Sequence, residues 1–171
     1  MRESKKNIDY LSQWEPVRIE LYKYIFYFVK NEDIALDILH ATTEISYKKY
    51  TGLMDSKVFK YQLLAIAKNK IYEFNRKKSK EVYINGLADT FFVENDLGFE
   101  NIFDKQIDWN YLLYKLSDFE QQFIVLRYKE TLSYKDISII LGKSEGALRT
   151  QNHRLIGKLY KLITNRSEKN T

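Results

Sequence analysis

The chain has 171 residues, 44% of them hydrophobic, with 10 Phe, 14 Tyr and a formal net charge of +5. That is enough apolar material for one compact domain or two small ones, and it excludes wholesale disorder. The absence of cysteine excludes disulfides and Cys-based zinc or redox centres, and two histidines, His40 and His153, leave little for a metal site or a His-based triad.

One proline and six glycines leave long segments without a breaker, which favours an all-helical chain. The N-terminus is polar, and no apolar run approaches the roughly 20 residues needed to span a bilayer, so a soluble cytoplasmic protein is expected. Pro16 suits the first turn of a helix running through Tyr22, Ile25, Phe26 and Val29. Asn31 before Glu32-Asp33 reads as the cap and acidic first turn of a second helix carrying Ile34, Ile38, Ala41 and Ile45. Gly52 and Leu53-Met54-Asp55-Ser56 break the pattern.

A third helix is predicted from about Lys57 to Lys78, with Phe59, Leu63, Ile66, Ala67 and Ile71 as its apolar positions. Its other positions include Lys60, Tyr61, Lys68, Asn69, Tyr72, Asn75 and Arg76, and it ends in Arg76-Lys77-Lys78-Ser79-Lys80. Cations there also suit the helix macrodipole, and the rings taken alone fit core packing equally well. Rings among lysines are nevertheless what a single-strand binder needs, because bases stack on them while cations hold the backbone.

Charge divides the chain into three parts. Residues 1–80 carry 16 Lys and Arg against 10 Asp and Glu, residues 81–108 carry 1 against 7, and residues 109–171 carry 11 against 6. Basic lobes are drawn to nucleic-acid phosphates, whereas the acidic connector should avoid DNA and suits a basic channel on a partner. The connector also holds Phe91, Phe92 and Phe99, which either dock on a lobe or wait for that partner.

The second lobe opens near Gln106 with a helix of Trp109, Leu112, Leu113 and Leu116. Ser117-Asp118-Phe119-Glu120 is a capping box for a helix of Phe123, Ile124 and Leu126. Ser133 caps a helix carrying Ile137, Ile140 and Leu141, Gly142 ends it, and Ser144 with Glu145 starts another. Two helices joined by a short Gly-containing turn form the helix-turn-helix unit, whose second helix enters the major groove. Helical projection buries Leu148, Leu155, Leu159 and Leu162. It turns outward Gly146, Thr150, His153, Arg154, Gly157 and Lys161, with Arg149 on the flank. Arg pairs bidentately with guanine, and Thr and His offer shorter polar contacts. The competing reading is an amphipathic helix with a solvated polar face. The short tail after this helix is expected to leave no room for an added sensor domain.

Over about residues 20–80 and 106–164 the chain resembles the extracytoplasmic-function (ECF) sigma factors of bacterial RNA polymerase, sigma-70 family. Leu21-Tyr22-Lys23-Tyr24 through Asn31-Glu32-Asp33-Ile34-Ala35-Leu36-Asp37-Ile38-Leu39 looks like the family's polymerase-binding segment and its lead-in. Leu63-Leu64-Ala65-Ile66-Ala67-Lys68-Asn69, then Arg76-Lys77-Lys78, looks like the promoter-melting helix and its basic end. Leu116-Ser117 to Leu126-Arg127-Tyr128, Leu132-Ser133-Tyr134-Lys135-Asp136-Ile137 and Leu141-Gly142-Lys143-Ser144-Glu145-Gly146 follow the family's final domain. Where the family usually has Gln-Glu after the polymerase-binding residues, this chain has His40-Ala41, and Gln62 stands where a Trp is common.

The resemblance implies an all-α protein of two small helical domains joined by an acidic linker. Residues 1–80 would be a region 2-like domain for polymerase binding and −10 recognition and melting, 81–105 the linker, and 106–171 a region 4-like helix-turn-helix domain for −35 recognition. It implies Gly146, Arg149, Thr150, His153 and Arg154 at the −35 element, and Tyr61, Lys68, Asn69, Asn75, Arg76 and Lys77 at the −10 region. The loop Gly52, Leu53, Met54, Asp55 and Ser56 would receive a flipped base, and Asp37, Ile38 and Leu39 would grip the polymerase. Core RNA polymerase and promoter DNA are the implied partners, and an anti-sigma factor is common in the family. No cofactor, metal or enzymatic activity is implied. A sigma-like accessory subunit or a stand-alone helix-turn-helix regulator is the alternative. A nuclease would need clustered acids or histidines at metal-ligand spacing, and here the acids gather in the connector.

Overall fold

The computed structural model describes residues 2–85, 112 and 114–167, which are helical with short connections and no strand. The chain divides into two compact units, residues 1–89 and 90–171. The acidic connector lies outside the described residues except for Glu81–Asn85, as does most of the helix expected around Trp109.

The first unit contains α1 (Arg2–Trp14), α2 (Arg18–Val29), α3 (Glu32–Lys49) and α4 (Ser56–Asn85). Helix α1 occupies a stretch to which the sequence reading assigns no element. Its Tyr10 and Trp14, one turn apart, are buried, and Tyr10 is the hub of an aromatic cluster. The Tyr10 ring lies 5.2 to 5.7 Å from those of Tyr47, Tyr50 and Phe59, each edge-to-face, and stacks at 6.3 Å on Trp14. Its hydroxyl donates to the Thr43 carbonyl at 3.2 Å and shares a hydrogen bond with Ser46.

Pro16 falls in the turn between α1 and α2 instead of the first turn of α2, which begins at Arg18. Having no N–H, it cannot supply the bond that would prolong α1. Asn31 caps α3 as expected, its side chain accepting from the Ile34 amide at 3.0 Å. Helices α2, α3 and α4 pack pairwise around Leu21, Ile25, Ala35, Leu63, Ala67 and Ile71, all 3% exposed or less. Helix α4 runs seven residues beyond the expected end at Lys78.

The second unit contains α5 (Asp118–Ile124), α6 (Tyr134–Leu141) and α7 (Glu145–Ser167). A π-helical turn, Val125–Lys129, extends α5, and Leu132 then donates back to the Leu126 carbonyl at 3.0 Å. The Arg127 guanidinium donates to the Leu132 carbonyl at 3.0 Å, which pins the segment leading into α6. The core is formed by Phe123, Ile124, Leu126, Ile137, Leu148, Leu155 and Leu159, each fully buried. Leu162, expected in the core, is half-buried. Among the described residues no helix is long and apolar enough to cross a membrane.

Candidate nucleic-acid interface

The helix-turn-helix is assembled from local hydrogen bonds. Ser133 Oγ accepts from the Asp136 amide at 3.1 Å while donating to the Asp136 carboxylate at 2.7 Å. Helix α6 ends on Gly142 at φ +66, ψ +34, with the Gly142 amide donating to the Ser138 carbonyl. That left-handed conformation is cheapest without a Cβ. Ser144 Oγ then accepts from the Ala147 amide at 3.3 Å at the start of α7. Behind the pair, Ser117 and Glu120 form the expected reciprocal capping box at the start of α5, with bonds of 2.8 and 3.3 Å.

Fully buried Leu148, Leu155 and Leu159 fix the rotation of α7 about its axis. Gly146, Arg149, Thr150, His153, Arg154, Gly157 and Lys161 are all exposed as a result. A Cβ placed on Gly146 or Gly157 would meet nothing within 4 Å, so the protein's own packing gives no reason for either glycine. The Arg149 guanidinium lies 4.6 Å from the centre of the Tyr134 ring and 3.7 Å from the Glu145 carboxylate. Arg127 approaches the same ring at 4.8 Å. These contacts preset the long Arg149 side chain at the start of α7.

Further along α7, His153, Arg154, Gly157, Lys158, Lys161, Leu162 and Asn165 line an open groove of about 430 Å3. Lys158 donates to the Glu120 carboxylate at 2.7 Å, tying α7 to the capping box of α5. Partial burial raises the Glu120 carboxyl, but the Lys158 ammonium and the Ser117 amide outweigh it and hold the group below its ordinary value.

In the first unit, α4 presents Asn69, Arg76 and Lys77 to solvent, with Lys68 and Asn75 half-buried on its flank. The Lys68 ammonium lies 5.9 Å from the centre of the Tyr72 ring. Tyr61 departs from expectation. It is 6% exposed, as Leu64 three residues on is 4% exposed, so its ring belongs to the core and cannot stack on a base without unpacking.

The loop before α4 is exposed at Leu53, Asp55 and Ser56 and half-buried at Gly52 and Met54. Gly52 has φ +151, a conformation that side chains rarely adopt. Asp55 closes the loop by accepting from the Lys57 and Val58 amides at 2.9 and 3.2 Å. On α3, Asp37 is exposed and Leu39 half-buried, but Ile38 is 7% exposed and lies in the core. Three consecutive helical residues point about 100° apart and cannot share one face. The exposed ridge of α3 is instead Asp33, Leu36, Asp37, His40 and Glu44.

The residue the sequence reading misses is Gln13 of α1, whose amide hydrogen-bonds Tyr50, just before the loop, and Met54, at its middle. The signal that could have revealed α1 is the one-turn spacing of Tyr10 and Trp14. Among the described residues no group of His, Asp and Glu is placed to hold a metal ion.

Residues 112–161 match the model of the family "Sigma-70, region 4", a span that runs from Leu112 to Lys161 and takes in the whole helix-turn-helix. No curated protein sequence matches the chain at a significant level. Among solved structures, the chain is similar to the sigma factor RpoE from Bartonella quintana, determined in complex with the anti-sigma factor NepR. The identity is 23%, the TM-score 0.62, and the similarity covers 91% of this chain and 97% of that one. That likeness extends the shared fold beyond the matched domain to both units. Residues 112–161 thus match a sigma-70 region 4 domain, and the chain as a whole has a fold similar to that of the Bartonella protein.

Proposed function

We propose that the chain is an alternative sigma factor of the ECF type, which binds core RNA polymerase and directs it to specific promoters while polymerase performs the chemistry. The observation that carries this reading is the outer face of α7, where Arg149, Thr150, His153 and Arg154 stand exposed on a helix locked by three fully buried leucines. In the major groove of the −35 element, Arg149 and Arg154 would pair with guanine edges, and Thr150 and His153 would make shorter contacts. Gly146 would let the backbone approach the DNA closely.

In the first unit, Lys68, Asn69, Asn75, Arg76 and Lys77 would follow the opened −10 strand along α4. The loop from Gly52 to Ser56 would take a base flipped out of that strand. The polymerase would meet the ridge of α3 through Asp37, joined by Leu36 and His40. The connector would thread toward the RNA path, and the protein would act in the cytoplasm with its polymerase. The Bartonella protein's complex with an anti-sigma factor supports the same class of inhibitor here.

Run-off transcription with core polymerase and a promoter library tests this reading. The expected result is initiation that depends on the chain, with shared −35 and −10 sequences among the active promoters. Polymerase binding without initiation would mean an accessory subunit, and DNA binding without polymerase would mean a stand-alone regulator.

A further inference from the structure

We propose that Gln13 is a positioning residue that holds the loop from Gly52 to Ser56 in its base-receiving shape before DNA arrives. The inference rests on the sigma-factor reading of that loop and adds to it a residue from outside the segments on which the reading was built.

The geometry is a clamp made by one side-chain amide. Gln13 Nε2 donates to the Met54 carbonyl at 2.6 Å. Gln13 Oε1 accepts from the Tyr50 hydroxyl at 3.0 Å and, more weakly, from the Met54 amide at 3.4 Å. Tyr50 is the C-cap of α3, and Met54 lies two residues before α4. A single group on α1 therefore ties the end of α3 to the middle of the loop. The remaining anchors are its own: Gly52 at φ +151 and the Asp55 carboxylate over the first amides of α4.

The clamp is rigid because its base is. Gln13 lies between Tyr10 and Trp14, at 3% and 9% exposure, and the Tyr50 ring packs edge-to-face on Tyr10 and Phe59 at 5.3 and 6.1 Å. Leu53, by contrast, is 65% exposed at the tip. The result is a fixed backbone that offers an uncovered apolar tip. Ordering loop residues only on binding would subtract from affinity, so a preset loop binds an unpaired base more tightly and discriminates it better.

The test uses the full chain. Binding of a single-stranded −10 non-template oligonucleotide is measured by fluorescence anisotropy, with every base substituted at each position. Binding to core polymerase, binding to −35 duplex and thermal melting are followed in parallel. Gln13→Leu removes the amide. Gln13→Glu keeps an acceptor toward Tyr50 but sets a carboxylate against the Met54 carbonyl. Tyr50→Phe removes one hydroxyl and leaves the ring packed.

Both Gln13 variants should bind the oligonucleotide on the order of tenfold more weakly and lose base preference at the captured position, with Tyr50→Phe intermediate. Polymerase and −35 duplex binding should stay at wild-type levels. Unchanged base preference in the Gln13 variants overturns the clamp, and so does a uniform loss of all three binding activities with a lowered melting temperature. Should Gln13→Leu fail to fold, Tyr50→Phe decides in the same way. A wild-type protein that shows no base preference overturns the underlying reading of the loop, which is distinct from failure of the clamp alone.

Discussion

In the C-terminal unit each helix of the recognition assembly begins on a serine that caps an amide three residues away: Ser117 to Glu120, Ser133 to Asp136 and Ser144 to Ala147. In the N-terminal unit the loop from Gly52 to Ser56 is held by Gln13, whose partners Tyr50 and Met54 lie 37 and 41 residues further along the chain. The first surface is specified by short-range chemistry and the second by long-range packing. Local caps contribute small, nearly independent increments, whereas an aromatic hub couples many groups and fails as a whole. A duplex reader can be built the first way, because one exposed helix face suffices. A short loop has no helical ladder of its own and depends on groups outside it to fix its backbone.

The largest effect should therefore come from the hub. Tyr10→Ala removes the ring shared by Trp14, Tyr47, Tyr50 and Phe59 and should cost about 3–5 kcal/mol, as for other large buried aromatics. Binding of unpaired −10 strand should fall with it while −35 duplex binding persists, both measurable by titration on the same preparation. A parallel loss of duplex binding would break the contrast between the units. Next in size are Arg149→Ala and Arg154→Ala, each expected to weaken promoter binding by about 1–3 kcal/mol at the contacted base. The promoter-mutant profile is the readout. Wild-type profiles in both variants would remove α7 as the recognition helix.

The same contrast explains what could be read from the sequence. Ser117, Ser133, Gly142 and Ser144 mark their helix ends because cap and capped group lie within four residues, and the outward set on α7 follows from the spacing of Leu148, Leu155 and Leu159. Helix α1 carries a local signal in the one-turn spacing of Tyr10 and Trp14, but what that face packs against is not legible. Its amphipathic signal is two rings in a polar stretch, and their partners Thr43, Ser46 and Phe59 are more than thirty residues away. Motif position puts Tyr61 and Ile38 on the surface, although the helical spacing of Ile34, Ile38, Ala41 and Ile45 already turns Ile38 inward. Burial on a helix flank depends on which neighbour packs there, and motif position does not carry that information. The contact of Arg149 with Tyr134 was hidden for the same reason, since it joins α6 to α7.

A smaller effect sharpens the local side of the comparison. Ser117→Ala breaks the capping box and should cost about 1 kcal/mol, seen as a lower urea midpoint with an unchanged slope. Because a cap is local, −35 sequence preference should survive at full strength wherever the unit remains folded. A changed preference would mean that the cap also orients α7.

The smallest effect separates that cap from its ion pair. Glu120→Gln keeps an oxygen able to accept from the Ser117 amide but removes the charge opposite Lys158. The Glu120 carboxyl titrates below its ordinary value of 4.5, so the charged form is favoured in the folded state. Its contribution is then fully present above that value and is lost as pH falls through the lowered one. Wild type should be slightly more stable than Glu120→Gln near neutrality, and the gap should close as the solution is acidified below the carboxylate range. Chemical denaturation at a series of pH values gives the two curves. A gap that stays constant would show that Lys158 adds nothing to Glu120 beyond the hydrogen bond of the cap, and would leave α7 tied to α5 by packing alone.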